Sequence, residues 1–298
     1  MRPRAGLRFS LVGPGRVGAS LAAWAEAAGA RCAATARRGE AAALASAGQD
    51  LLLVAVPDPV LAEVAAELAR HPQAAVVLHT SGSLGAAALA PVRDGGSAVG
   101  CLHPLKAFPR PLPEPDQAHG VFFALDGDPA AVALAGRLAA AWGGTAAEVP
   151  PAARPVYHLA ATLAAGGVVT LLALAEELAG RLGLDPAVAG DVAGGYLELA
   201  RGALAAAREA QQAGRPLGAA LTGPAARGDR DTVARQLEAL AAIDPDRAAL
   251  VARLARETLD QKVRSDASTA PGLADLAAGL AGWIAIRAGG KGLKPGPG

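Results

Sequence analysis

Aromatic side chains are scarce in this chain of 298 residues, at 3% of the total. A surface that stacks nucleic-acid bases needs several of them, so single-stranded nucleic acid is not an expected partner. Neither sign of charge is in excess. The 28 Lys and Arg against 27 Asp and Glu leave a net charge of +1. That balance provides no field to steer the chain to nucleic acid or to a membrane surface. Only two cysteines occur, Cys32 and Cys101, in separate apolar runs. With no CxxC and no Cys/His ligand spacing, no metal site is expected. Isolated cysteines fit a reducing cytosol, where structural disulfides are rare. Met1 to Phe9 is basic but lacks the apolar stretch of a signal peptide. A cytoplasmic location is the expectation.

Formal charge is also missing from Pro155 to Ala175, a stretch about as long as a membrane span. It carries Tyr157, His158, Thr162, Gly166, Gly167 and Thr170 among its alanines. The expectation is therefore a buried helix of a soluble protein, with no membrane partner.

What is abundant is apolar material, 52% of residues, arranged in alternating strand and helix patterns. Leu7–Val12, Ala30–Ala36, Leu51–Val56, Ala75–Leu78, Ser97–Leu102 and Gly120–Leu125 read as strands. Ala19–Ala28, Asp58–Arg70 and Pro129–Trp142 read as helices. The fold class expected is α/β, a Rossmann-type doubly wound parallel sheet. After Pro150-Pro151 the strand pattern stops. Helices are expected over about 152–182, 185–213, 229–242, 244–264 and 273–288. Residues 1–150 are thus expected to form a dinucleotide-binding domain and 151–288 a helical substrate and dimerisation domain. Residues 289–298, ending Pro-Gly-Pro-Gly, are expected to form a disordered tail.

The pattern Gly13-Pro14-Gly15-Arg16-Val17-Gly18 follows the first strand and opens the first helix. The first glycine permits a tight turn, the second lets a pyrophosphate approach the backbone, and the third lets helix and strand pack closely. The pyrophosphate would sit on the unpaired N–H groups of the helix N-terminus. An NAD protein usually places Asp or Glu about 20 residues further on, against the ribose 2′-OH. Here the second strand ends in Arg37-Arg38, which suits a 2′-phosphate and hence NADP. Glu40 is the alternative acid in a shifted loop. Val56-Pro57 and the His79-Thr80-Ser81-Gly82 turn end strands at the same edge, so Val56, Pro57 and Ser81 join the expected cofactor contacts.

Five residues are candidates for the chemistry. His158, beside Tyr157 on the first helix after Pro150, could donate the proton that reduction of a carbonyl or imine requires. Lys106, in His103-Pro104-Leu105-Lys106, could hold an anionic substrate, and His103 could donate to a substrate oxygen or hold the loop. Thr222 and Arg227, in Leu221-Thr222-Gly223-Pro224-Ala225-Ala226-Arg227-Gly228-Asp229, could bind it too. Gly166-Gly167 inside a helix costs about 2 kcal/mol relative to alanine. The pair is expected to admit the close approach of a neighbouring helix or a ligand.

These segments together resemble a bacterial family of Rossmann-like oxidoreductases with a helical C-terminal domain of formerly unknown function. The resemblance runs from about Leu7 to Ala288 and is most specific in Leu221–Pro224 with Ala226–Asp229. The family is similar to pyrroline-5-carboxylate reductase, ketopantoate reductase and the 6-phosphogluconate dehydrogenase type. It implies hydride transfer from NADPH to a small carboxylate-bearing ketone or imine, and a homodimer through the helical domains. Relatives tend to carry Asn where this chain has Gly166. A protein that binds NADP to sense or regulate, without turnover, is the alternative.

Overall fold

The structure is a computed structural model describing residues 6–40, 44, 48–71 and 74–288. The expected tail, 289–298, lies outside the described residues. The chain divides into two compact units, residues 1–170 and 171–298.

The first unit is built on seven strands: β1 (Arg8–Val12), β2 (Arg31–Ala36), β3 (Leu51–Val54), β4 (Val76–His79), β5 (Ala98–Pro104), β6 (Phe122–Gly127) and β7 (Thr145–Glu148). Their order is β2-β1-β3-β4-β5-β6-β7. Helices α1 (Arg16–Ala27), α2 (Asp58–Leu68), α3 (Ala90–Asp94) and α4 (Pro129–Ala141) connect them. Every residue of β3 and β4 is buried, as expected for strands covered on both faces. Alternate residues serve opposite cores. Phe9, Leu11, Leu51 and Leu53 join Trp24, Phe123 and Trp142 on one face, while Val12, Leu52 and Val54 join Leu61, Val64 and Leu68 on the other. Each such side chain contributes about 1.5–3 kcal/mol through burial.

Two strands, β6 and β7, run against the other five and correct the expectation of a wholly parallel sheet. β6 runs antiparallel to β5, while the other neighbouring pairs are parallel. The connection from β5 to β6 holds only a short 3-10 turn, Pro115–Ala118, and without a crossover helix the chain returns in the opposite direction. β7 has no counterpart in the sequence reading. Its four residues, Thr-Ala-Ala-Glu, are all exposed and present no apolar pattern.

Beyond Pro150 a 3-10 turn (Pro151–Ala153), α5 (Arg154–Thr162), a π turn (Leu163–Gly167) and α6 (Val168–Ala179) follow without a break. The sheet ends near Pro150, and the first compact unit continues to Thr170. The expectation of a buried helix here is overturned. None of the most apolar window of 151–179 is buried, and Val156, Leu159, Leu163 and Val169 are all exposed. Apolar spacing tells what a helix can cover, not whether its own chain supplies the cover. Among the described residues this one helix is long and apolar enough to cross a membrane.

The second unit is helical: α7 (Pro186–Gln212), α8 (Gly223–Ala226), α9 (Arg230–Ile243), α10 (Pro245–Ser265) and α11 (Ala270–Ala288). Asp185, Asp229 and Asp244 cap three of these helices by accepting the backbone N–H groups of Ala187, Thr232 and Arg247. Val233, Leu237, Leu259, Leu273, Leu276 and Leu280 form its core.

Candidate active site

The chain crosses from one side of β1 to the other, since β2 and β3 flank it. At such a switch point a ligand finds a crevice outside the strands' carboxyl ends. Gly13, the first residue after β1, has φ +87°, and a Cβ there would lie 2.5 Å from the Ala55 carbonyl and 3.0 Å from Val56 Cγ1. A Cβ on Gly18 would come within 2.2 Å of the Gly13 carbonyl. At Gly15 a Cβ would meet nothing within 4 Å. Two glycines therefore serve internal packing, while the middle one opens onto free space at the N-terminus of α1. No acidic residue lies in the helix's first turn. Such a cradle fits a dinucleotide pyrophosphate.

Pro14 and Arg16 are exposed on this loop, and Val17 packs against the core. Arg16 Nη1 donates to the Pro109 carbonyl at 3.4 Å. Buried Ser20 donates to the Arg16 carbonyl at 2.6 Å and accepts the Leu112 N–H at 2.8 Å. The Pro-rich segment after β5 is thereby tied to the glycine-loop helix. Val56 and Pro57 follow β3; Val56 is half-buried and Pro57 exposed. Arg37 and Arg38 are exposed just beyond β2, and their guanidiniums have no partner among the described residues. Glu40, the alternative acid, turns back to accept the Arg37 N–H at 2.8 Å. Ser81 is buried, and its hydroxyl accepts the Leu84 N–H at 3.0 Å.

A cavity of about 650 Å³ opens at the carboxyl end of β5. His103, Lys106, Tyr157 and His158 supply its polar wall, and Ala160, Ala161, Ala164, Ala165 and Gly166 its apolar floor. His158 and Lys106, expected to share a site, do line one cavity. Gly166 lines this cavity and a Cβ on it would meet nothing within 4 Å, so among the described residues no neighbouring helix packs against the pair, which ends the π turn. π turns inside α-helices occur often at functional sites.

His103 Nδ1 and Tyr157 Oη share a hydrogen bond of 2.9 Å. The His103 ring also meets His158 edge-on, with centroids 6.0 Å apart. Both imidazoles lean on Gly82, where a Cβ would lie 2.5 Å from His158 Cδ2 and 2.7 Å from His103 Nε2. Burial pulls His103 down to about 4, with His158 and Arg154 acting in the same direction. Burial pushes the Tyr157 phenol up to about 12. Both groups are neutral throughout the physiological range.

A buried polar layer supports this wall. Arg154, the first residue of α5, is fully buried. Its Nη1 donates to the Ser81 carbonyl at 3.4 Å, and its Nε lies 3.6 Å from Asp126 Oδ2. Nε and Nη2 have no hydrogen-bond partner among the described residues. Asp126 also accepts the Ala86 N–H at 2.7 Å. Cys101 Sγ donates to the Ser81 carbonyl at 3.0 Å, and burial pushes that thiol up to about 12. His79 Nδ1 accepts the Ser81 N–H, so its Nε2 carries the hydrogen and donates to the Gly85 carbonyl at 3.1 Å. Burial pulls His79 down to about 4. Sequence reasoning missed Arg154 and Asp126. The only signal was an arginine beside a proline at a helix start, common in an Arg-rich chain.

The remaining two candidates lie in the second unit. Thr222 precedes α8 and lines a cavity of about 160 Å³ with Pro224, Val233, Leu237 and Val251. Arg227 ends α8 and is exposed. Among the described residues no cluster of three His, Cys, Asp or Glu could hold a metal ion.

Two family models match the chain: a Rossmann-like domain over residues 2–104, and a domain of unknown function, DUF2520, over residues 121–258. No curated protein matches it in sequence. Among solved structures, a provisionally named NADP oxidoreductase from Bacteroides fragilis is similar over 86% of this chain and 99% of its own, at 20% identity and a TM-score of 0.66. A protein from Thermotoga maritima matches 85% of this chain with 99% of its own, at 21% identity and a TM-score of 0.62. The NADP-bound pyrroline carboxylate reductase of Plasmodium falciparum covers 86% of this chain and 98% of its own, at 11% identity and a TM-score of 0.54. At such identities the likeness is one of fold. The two family models between them take in the sheet, His103, Tyr157 and His158 of the cavity wall, and most of the helical unit, so the chain carries a Rossmann-like domain followed by a DUF2520 domain.

Proposed function

We propose that the protein is an NADPH-dependent oxidoreductase that reduces a small carboxylate-bearing ketone or imine. The observation that carries this reading is one sheet edge bearing both a pyrophosphate cradle, after β1, and a cavity walled by acid–base side chains, after β5. The fold shared with an NADP-bound reductase supports it. Gly13, Pro14, Gly15, Arg16, Val17 and Gly18 would hold the pyrophosphate, Val56, Pro57 and Ser81 would flank the dinucleotide, and Arg37 with Arg38 would hold the 2′-phosphate. When bound, NADPH supplies a hydride. Lys106, exposed at the cavity mouth, would pair with the substrate carboxylate. The proton would come from the group formed by His103, Tyr157 and His158.

The test is NADPH oxidation over a panel of 2-keto acids and cyclic imino acids, run with the double variant R37A/R38A. We expect at least one substrate to be consumed. The double variant should bind NADPH about tenfold more weakly or worse, because a charged hydrogen bond is worth about 1.5–3 kcal/mol. NADH binding should change less than about twofold. Binding without consumption across the panel would replace the enzyme with an NADP sensor. Equal losses for both cofactors would overturn the 2′-phosphate assignment.

We also infer a homodimer through the helical part of the chain. In support, Leu171, Leu182, Leu184, Val188, Leu197, Leu199 and Leu204 are exposed along α6, α7 and their connection. Uncovered apolar faces of this extent mark association surfaces. Sedimentation without detergent should give a dimer at micromolar concentration. A monomer, or a chain that stays in solution only with detergent, would overturn it.

A further inference from the structure

We propose that Tyr157 is the proton donor of the reduction, and that His103 positions it by donating from Nδ1 to the phenol oxygen. The proposal rests on the reductase reading above. One hydrogen occupies the 2.9 Å line between Nδ1 and Oη, and two arrangements are open. If the phenol donates to the imidazole, its hydrogen is spent and none faces the cavity. If Nδ1 donates, the hydroxyl hydrogen is free to turn to a substrate. A neutral imidazole has a single N–H, which goes where an acceptor is in reach. Nδ1 has Tyr157 Oη. Nε2 leans on Gly82 and has no acceptor among the described residues. The Nδ1–H form gives the ring hydrogen a protein acceptor, which the Nε2–H form lacks among the described residues. The Nδ1–H form is therefore favoured.

Burial keeps the Tyr157 phenol protonated and ready to donate; of the groups around it, Arg154, three residues earlier on α5, acts toward the phenolate and Cys101 against it. His103 faces His158, Arg154, Asp58 and His79. Its resistance to protonation keeps the Nδ1–H tautomer in place down to mildly acid pH. Gly82, lacking a Cβ, lets both imidazoles reach this position.

As hydride adds to the carbonyl or imine carbon, the π pair moves to the oxygen or nitrogen. That atom takes the Oη proton, and the Oη–H bond breaks. The phenolate is held by the His103 Nδ1–H and by the charge of Arg154. Water in the open cavity then returns a proton to Oη. The substrate gains two electrons and one hydrogen from the hydride, and one proton that comes ultimately from solvent.

The first test needs neither cofactor nor substrate. Full-length protein labelled with ¹⁵N-histidine is followed by long-range ¹H–¹⁵N correlation from pH 5.5 to 8. The signals that vanish in H103N should show a neutral ring protonated at Nδ1 across the whole range. A ring protonated at Nε2, or one that titrates within the range, overturns the proposal and leaves the reductase reading intact. The second test uses a substrate consumed in the panel. General acids contribute about 10²–10⁴-fold. Y157F should therefore lose about a hundredfold or more in kcat, with KM and NADPH binding changed less than about threefold. H103L should fall as far. H103N, whose amide N–H can replace Nδ1–H, should keep about a tenth of the rate or more. Wild-type kcat should stay level from about pH 6 to 9, because neither partner of the pair titrates there. Y157F keeping more than a tenth of the rate overturns the assignment of the donor. So does a rate that falls through the ordinary imidazole range near 6.5.

Discussion

Asp126→Asn is expected to lower the free energy of unfolding by about 3–5 kcal/mol, the usual cost of removing one partner from a buried ion pair. The substitution keeps the side chain's shape and an oxygen for the Ala86 N–H. It removes the charge that faces a fully buried guanidinium. Among the described residues Arg154 has otherwise the Ser81 carbonyl and the neighbouring Cys101 thiol, and two of its nitrogens lack a hydrogen-bond partner. Asp126 is itself mostly buried, with 12% of its side chain exposed, so solvent screens the pair weakly. Trp24 and Trp142 sit in the core of the same unit and report its unfolding in urea, best read in a W283F background. The double variant D126N/R154M should recover most of the loss, because no buried charge is left over. A loss below about 1 kcal/mol for D126N would show that Arg154 draws little from this carboxylate.

Gly18→Ala is expected to remove most of the affinity for NADPH. The added methyl would lie 2.2 Å from the Gly13 carbonyl and 3.1 Å from Ala55 Cβ, so backbone must move rather than a side-chain tip. No positive φ is involved at Gly18, so the effect isolates close packing from conformational freedom. Overpacking of this kind costs about 1–3 kcal/mol. Because the strain falls on the loop that would cradle the pyrophosphate, NADPH binding should weaken about tenfold to a hundredfold. Gly15→Ala is the companion, since its methyl would enter open space and collide with the ligand instead. It should weaken binding while leaving thermal stability unchanged, whereas G18A should lower both. Fluorescence titration and thermal melts separate the two. Unchanged NADPH binding in both variants would sink the cradle assignment.

The glycine loop is legible in the sequence because its geometry admits almost no other residue. Gly13 needs its left-handed backbone and Gly18 needs the missing Cβ. The helical second half is equally legible, since Asp185, Asp229 and Asp244 act through their nearest neighbours in the chain. Local chemistry can be read locally. Arg154 and Asp126 cannot, because their meaning comes from strands and loops far away in sequence. The same holds for β6, whose reversal depends on what its connection lacks, and for β7, an exposed strand without an apolar stripe. The long helix after Pro150 was expected to be buried because its composition is apolar, yet composition cannot name the molecule that covers it.

The buried layer under the cavity also bears on the order in which the protein assembles. The Asp126 bond to Ala86 spans 40 residues of chain, and the Arg154 bond to Ser81 spans 73. Contacts so distant in sequence form only after the entropy of closing long loops has been met, which places them late in folding. β1, β3 and β4 can pair while α5 is still unattached. The wall that carries Tyr157 and His103 is therefore completed last, when Arg154 docks. On a ribosome, the nascent chain must already have released residue 154 before this wall can exist, so the cradle for the pyrophosphate precedes the cavity for the substrate.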